Sequence, residues 1–194
     1  MNATHTITYN KDIITGKKTT AVIGAAFFVL ATALGAYVRI PIPGTPVPIT
    51  LQTFFVILAG AVLGRHLGAS SQLAYVVLGV MELPLFQGAS FGIAYLFGPT
   101  GGYIVGFIAA AYIVGLLTHS GKQSFGSLIA SFAIGSAVIL ACGAGWLMCL
   151  YKMNLSFALA AGVLPFIPGD MVKVLIAALI YSRISGRTNW LFST

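Results

Sequence analysis

Asp170 and Lys173 stand three residues apart in Leu164-Pro165-Phe166-Ile167-Pro168-Gly169-Asp170-Met171-Val172-Lys173, an acid and a base inside an apolar stretch. Residues three apart share one face of a helix, so both side chains can address the same small polar object. Charge within a bilayer is costly enough that an ionisable residue there marks a functional site by default. The chain has only 3 Asp or Glu residues, which makes this pair the leading candidate for a ligand site. A purely structural reading also exists. Asp170, just after Pro168-Gly169, can cap the helix that starts there, with Lys173 as its ion-pair partner. The two roles are compatible.

Composition says what must position the pair. Of 194 residues, 58% are hydrophobic and 7% charged, the mean hydropathy is +0.98, and a soluble domain carries about 25% charged residues. These values describe an integral membrane protein with no room for a soluble catalytic domain. The net charge of +7 comes from scattered basic residues rather than a stripe, which argues against nucleic acid as a partner.

Apolar runs bounded by polar or Gly/Pro punctuation predict a single all-α domain of six transmembrane helices over 1–194. The spans are Thr20–Val38, Ile49–Gly64, Leu67–Met81, Thr100–Thr118, Phe125–Tyr151 and Gly169–Ser185. The second and third are short for a hydrocarbon core of about 30 Å, so their flanking loops should be partly buried against neighbouring helices. With both termini inside, Lys11, Lys17, Lys18, Arg65, Lys122, Arg183 and Arg187 all fall on inside segments. Arg39 and Lys152 then lie outside, and this bias favours cytoplasmic termini in a cell membrane. Residues 1–19 become a short cytoplasmic segment, and the Asp170–Lys173 pair lies near the outer end of the sixth span. Lys17-Lys18 before an apolar run imitates a secretory signal, but a run of about 19 residues exceeds an h-region of about 7–15 and reads as an uncleaved helix.

Other chemistry is tested and fails. Gly115-Leu-Leu-Thr-His-Ser-Gly-Lys-Gln123 has five residues between its glycines instead of four, and Gln123 where a phosphate loop needs Ser or Thr. His5, His66 and His119 lie far apart and read as solvated loop residues, so no metal or other cofactor is expected. Cys142 and Cys149, about 10 Å apart along one helix, are too distant for a disulfide. The chain reads as a non-enzyme.

The outer connections are unusual. Arg39-Ile-Pro-Ile-Pro-Gly-Thr-Pro-Val-Pro-Ile-Thr50 has four prolines and a glycine, which forbids helix and favours a stiff apolar loop able to cap a cavity. Glu82 reads as solvated at the end of the third helix. The Gly98-Pro-Thr-Gly-Gly102 turn opens a helix whose free N–H groups can receive a carboxylate. Small residues four apart, as in Ala21/Ala25, Ala31/Gly35 and Gly102/Gly106, permit close helix approach. For the last pair this means internal packing, while on the first helix an external partner is also open.

Three stretches, Pro46-Val-Pro-Ile-Thr-Leu-Gln-Thr-Phe-Phe55, Phe97-Gly-Pro-Thr-Gly-Gly-Tyr-Ile-Val-Gly-Phe107 and Leu164–Lys173, closely resemble the BioY family in order and spacing. The resemblance implies a compact six-helix bundle with an outward-facing pocket for biotin, the S component of an energy-coupling factor (ECF) transporter. It implies as partners a transmembrane coupling protein and two cytoplasmic ATPases, which would supply the ATP chemistry this chain lacks. It also implies that the acid and lysine of the Pro-Gly-Asp-x-x-Lys motif, here Asp170 and Lys173, bind biotin.

Biotin offers two ureido N–H donors, a carbonyl acceptor, an apolar bicycle and a valerate carboxylate. Asp170 suits a ureido N–H and Lys173 the ureido carbonyl. Gln52, in the matching Thr50–Phe54 stretch, is a further hydrogen-bonding candidate. Phe86, Phe91 and Tyr103 are candidates to sandwich the ring, or else interfacial anchors. Arg39 is a candidate counter-ion for the valerate, or else snorkels to headgroups. Two other classes stay open: an ion-coupled secondary transporter of biotin or a related small molecule, although no inverted repeat is evident, and an assembly protein with no ligand.

Overall fold

The computed structural model describes residues 3–120 and 123–192. The side chains of His5, Lys11, Lys17 and Arg187, and the whole of Lys122, lie outside the described residues. The elements run α1 (Ala3–Tyr37), β1 (Arg39–Ile40), β2 (Ile49–Thr50), α2 (Gln52–Leu63), α3 (Arg65–Val80), α4 (Ile93–Leu96), α5 (Gly101–Thr118), α6 (Phe125–Tyr151), α7 (Leu155–Gly162) and α8 (Ile167–Phe192). Short 3-10 turns at Gln87–Ala89 and Leu164–Phe166 precede α4 and α8.

Each of the six expected apolar spans overlaps one of the longer helices. Among the described residues, four segments are long and apolar enough to cross a membrane: Lys18–Tyr37, Gly101–Thr118, Phe125–Tyr151 and Leu155–Gly186. The chain is therefore a mostly helical, multi-pass membrane protein. Helix α2, apolar but only 12 residues long, measures about 18 Å at 1.5 Å per residue.

Two elements go beyond expectation. Helix α1 extends back to Ala3, past the expected span, which its apolar part matches as Lys18–Tyr37. Helix α7 occupies what reads as an outer connection, and it starts where the Asn154 side chain accepts the Phe157 N–H at 2.9 Å, the ordinary N-cap arrangement. The proline-rich segment closes into a hairpin, with Arg39 paired to Thr50 and Ile40 to Ile49. Its prolines lie between the paired positions, where their missing N–H groups cost no ladder hydrogen bond.

Helix α5 is the hub, packed on α2, α3 and α6. A Cβ on Gly106 would lie 2.9 Å from Cys142 Cβ, and one on Gly102 would collide with Trp146. Both glycines therefore serve internal packing between α5 and α6, which lipid-facing helices achieve through close backbone approach. On α1, Ala31 and Gly35 also turn inward: Ala31 is buried, and a Cβ on Gly35 would lie 3.0 Å from the Gln52 backbone. The outward face of α1 carries Val22, Ile23, Phe27, Leu30 and Leu34 instead. Helices α2 and α3 are joined by Gly64 alone, whose φ of 80° suits a residue without a Cβ.

Candidate functional site

The α1–α2 hairpin, the start of α5 and the start of α8 converge on one cavity. Its volume is about 40 Å³, small beside the about 300–1,000 Å³ of small-molecule sites, and it opens to solvent at its mouth. Val47 and Pro48 of the hairpin cover it, while Thr50, Gln52 and Thr53 line it from the entry to α2. Tyr95 of α4, Tyr103 and Phe107 of α5 and Phe166 before α8 give it aromatic walls. Asp170 and Lys173 close the polar end. The proline-rich segment thus contributes Val47 and Pro48 to the lining.

Asp170 lies in the first turn of α8, where a negative charge meets the positive end of the helix dipole. Its Oδ1 accepts from Lys173 Nζ at 2.9 Å, and its Oδ2 accepts from Ser136 Oγ of α6 at 2.7 Å. The Thr53 hydroxyl of α2 lies 3.5 Å from Oδ1 and accepts a second Lys173 N–H at 2.9 Å. The two charged side chains are only 8% and 11% exposed. A buried ion pair is tolerable when further hydrogen bonds support it, and here Thr53 of α2 and Ser136 of α6 supply them. That web goes well beyond a helix cap.

Gln52 also lines the cavity and is itself held in place. Its Nε2 donates to the Tyr75 hydroxyl at 2.6 Å, Tyr75 donates onward to the Leu85 carbonyl at 3.2 Å, and Thr50 donates to Gln52 Oε1 at 3.3 Å. Tyr103 donates its hydroxyl to the Gly162 carbonyl at 2.7 Å, so it offers the cavity its ring. Tyr95, outside the long helices, has its hydroxyl pKa raised chiefly by burial, with Arg39 nearby pulling the other way. It stays a neutral hydrogen-bonding group.

Asp170, Lys173, Gln52 and Tyr103 thus meet in one cavity, and three other candidates do not reach its wall. Phe86 is fully buried, stacked on Tyr95 with centroids 5.2 Å apart and edge-on to Tyr75 at 5.6 Å. It backs the aromatic wall instead of forming it. Phe91 is 52% exposed on the connection between α3 and α4. Arg39 lines a neighbouring depression that shares Pro48 and Gln87 with the cavity. Glu82 is exposed just past α3, as its solvated reading expects.

Sequence reasoning missed Thr53, Ser136, Tyr95, Phe107 and Phe166. Thr53, Phe107 and Phe166 sit inside the quoted motifs, so motif membership was the available signal. Ser136 carries no such signal. One of three serines among the small residues of an apolar helix, it looks like packing.

The sequence pattern of the BioY family matches residues 5–189. The probable biotin transporter BioY of Pyrococcus horikoshii is 45% identical over 163 residues, 84% of this chain and 94% of that one. The biotin transporter BioY of Thermotoga maritima is 40% identical over 162 residues, with the same coverage of 84% and 94%. Among solved structures, the S-component for biotin from an ECF-type ABC transporter superposes with a TM-score of 0.80 at 30% identity, covering 87% of this chain and 92% of that one. Matching pattern, sequence relatives and fold over nearly the same residues, this chain belongs to the BioY family.

Proposed function

We propose that this chain is the biotin-binding membrane subunit of an ECF-type vitamin uptake transporter, capturing biotin from outside the cell for ATP-driven import by partner subunits. The observation that carries the reading is the braced Asp170–Lys173 pair at the polar end of an aromatic cavity. Relatives named as biotin transporters and a biotin S-component of the same fold support it.

In this reading the ureido group meets the charge pair: Asp170 Oδ1 takes a ureido N–H, and Lys173 directs its remaining N–H at the ureido carbonyl. Tyr95, Tyr103, Phe107 and Phe166 cover the apolar bicycle, and Gln52 lines its path. The valerate runs toward the mouth, where Arg39 is its counter-ion. Phe91 anchors the outer connection at the headgroup level, as exposed aromatics do, and Phe86 acts through Tyr95.

The single domain spans the cell membrane six times, through α1, α2, α3, α5, α6 and α8. Basic residues at the α2–α3 turn (Arg65) and near the carboxyl end (Arg183) support cytoplasmic termini and an outward-facing cavity. A transmembrane coupling protein and two cytoplasmic ATPases complete the transporter. Titrating the purified chain with biotin and with biotin methyl ester tests the reading. Saturable biotin binding that weakens on esterification is expected, and no saturable biotin binding contradicts it.

A further inference from the structure

The Asp170 carboxylate has two sides. Oδ1 faces the cavity, where both of its partners, Lys173 and Thr53, line the wall. Oδ2 is bonded by a residue outside that lining. Ser136, which holds Oδ2 at 2.7 Å, lines instead an apolar groove between α6, α7 and α8, walled by residues such as Ala137, Leu159 and Val174. Leu140 and Asp170 belong to both linings and form the partition between them.

Several serine and threonine hydroxyls bond their own helix, while Thr32 and Thr53 reach across to another. Ser131 donates to the Ser127 carbonyl at 2.9 Å, and Thr118 to the Val114 carbonyl at 2.8 Å, the usual local habit. Ser136 instead reaches across to a residue 34 positions away. Its hydroxyl meets the one face of the acid that would otherwise look into apolar surroundings, where an unpartnered charged oxygen is expensive.

We propose that Ser136 is a positioning residue for ligand binding. By fixing Oδ2 from the membrane side, it aims Oδ1 into the cavity and stops the carboxylate from swinging both oxygens onto Lys173 and Thr53. That swing would consume the Lys173 N–H left for a ligand. The charged and titratable groups in the cavity that face Asp170 are Lys173 on α8, Tyr103 on α5 and Tyr95 on α4. The hydrogen bond to Oδ2 comes from Ser136.

The inference rests on the biotin reading, and its test separates the two. Biotin is titrated into the purified full chain and into Ser136→Ala, Ser136→Cys and Ser136→Thr. Ser136→Ala should bind about 10- to 100-fold more weakly, the scale of a lost hydrogen bond to an ion. Ser136→Cys, close in size but a weak donor, should lose tenfold or more without opening a void, and Ser136→Thr should recover most of the loss. Less than tenfold loss in both Ala and Cys variants, or no recovery in the Thr variant, overturns the proposal. If the wild-type chain does not bind biotin, the biotin reading fails by itself. A double-mutant cycle of Ser136→Ala with Asp170→Asn in ligand-free thermal unfolding then decides the pairing: non-additive losses support it and additive losses overturn it.

Discussion

Lys173 Nζ lies 2.9 Å from Thr53 Oγ1, joining residues 120 positions apart. The ammonium is held between α2 and α8, with Asp170 Oδ1 on its other side at 2.9 Å. An ammonium has three N–H donors. Asp170 and Thr53 take two of them, so Thr53 decides which donor remains for the cavity.

Removing that acceptor should therefore be felt by a ligand. Thr53→Val is expected to weaken biotin binding about tenfold, since a hydrogen bond to a charged group is worth about 1.5–3 kcal/mol. Thr53→Ser keeps the hydroxyl and should stay near wild type in the same titration. Equal affinities for the valine and serine variants contradict the role of Thr53.

Breaking the charge pair should cost stability as well as affinity. A buried carboxylate deprived of its cation costs about 3–5 kcal/mol, whereas neutralising both partners is often near neutral. Lys173→Met should lower the thermal unfolding temperature in detergent, and adding Asp170→Asn should restore much of it. An unchanged unfolding temperature in the single variant contradicts the pairing.

Tyr75 links the cavity to the connection after α3, through Gln52 at 2.6 Å and the Leu85 carbonyl at 3.2 Å. Tyr75→Phe leaves the Gln52 amide short of a partner, at a cost of about 1–3 kcal/mol for a buried polar group. Faster amide hydrogen exchange across residues 83–92 is expected. Unaltered exchange there would show that the tyrosine does not anchor the connection.

Two glycines on helices α5 and α6 provide a matched comparison. A Cβ on Gly102 collides with Trp146, while one on Gly145 meets nothing within 4 Å. Gly102→Ala should destabilise by about 1–3 kcal/mol, the cost of overpacking, and Gly145→Ala should leave thermal unfolding unchanged or raise it slightly. Equal unfolding temperatures contradict the α5–α6 packing.

The apolar runs announced the long helices because lipid-facing and core-facing positions are both hydrophobic, so length alone marks a span. Phe125–Tyr151 coincides with α6 at both ends, since Ser124 and Lys152 interrupt the apolar run there. Helix α7 was illegible for the same reason in reverse: its 8 residues are too few to stand out in a uniformly apolar chain. At the site, charge scarcity picked out Asp170 and Lys173, and motif adjacency brought in Gln52. Residue type could not tell the buried Phe86 from the exposed Phe91, because loop direction depends on tertiary packing. Nor could it single out Ser136, whose partner is set by how α6 and α8 meet.

The central claim is that Asp170 and Lys173 hold the ligand. Calorimetric titration of biotin into the wild-type chain and into the Asp170→Asn, Lys173→Ala double variant tests it most directly, since the double variant removes both charges without leaving one unpaired. Saturable one-to-one binding to the wild type and affinity at least about 100-fold weaker in the variant are expected from two lost charge-assisted contacts. Unchanged biotin affinity in the double variant contradicts the claim.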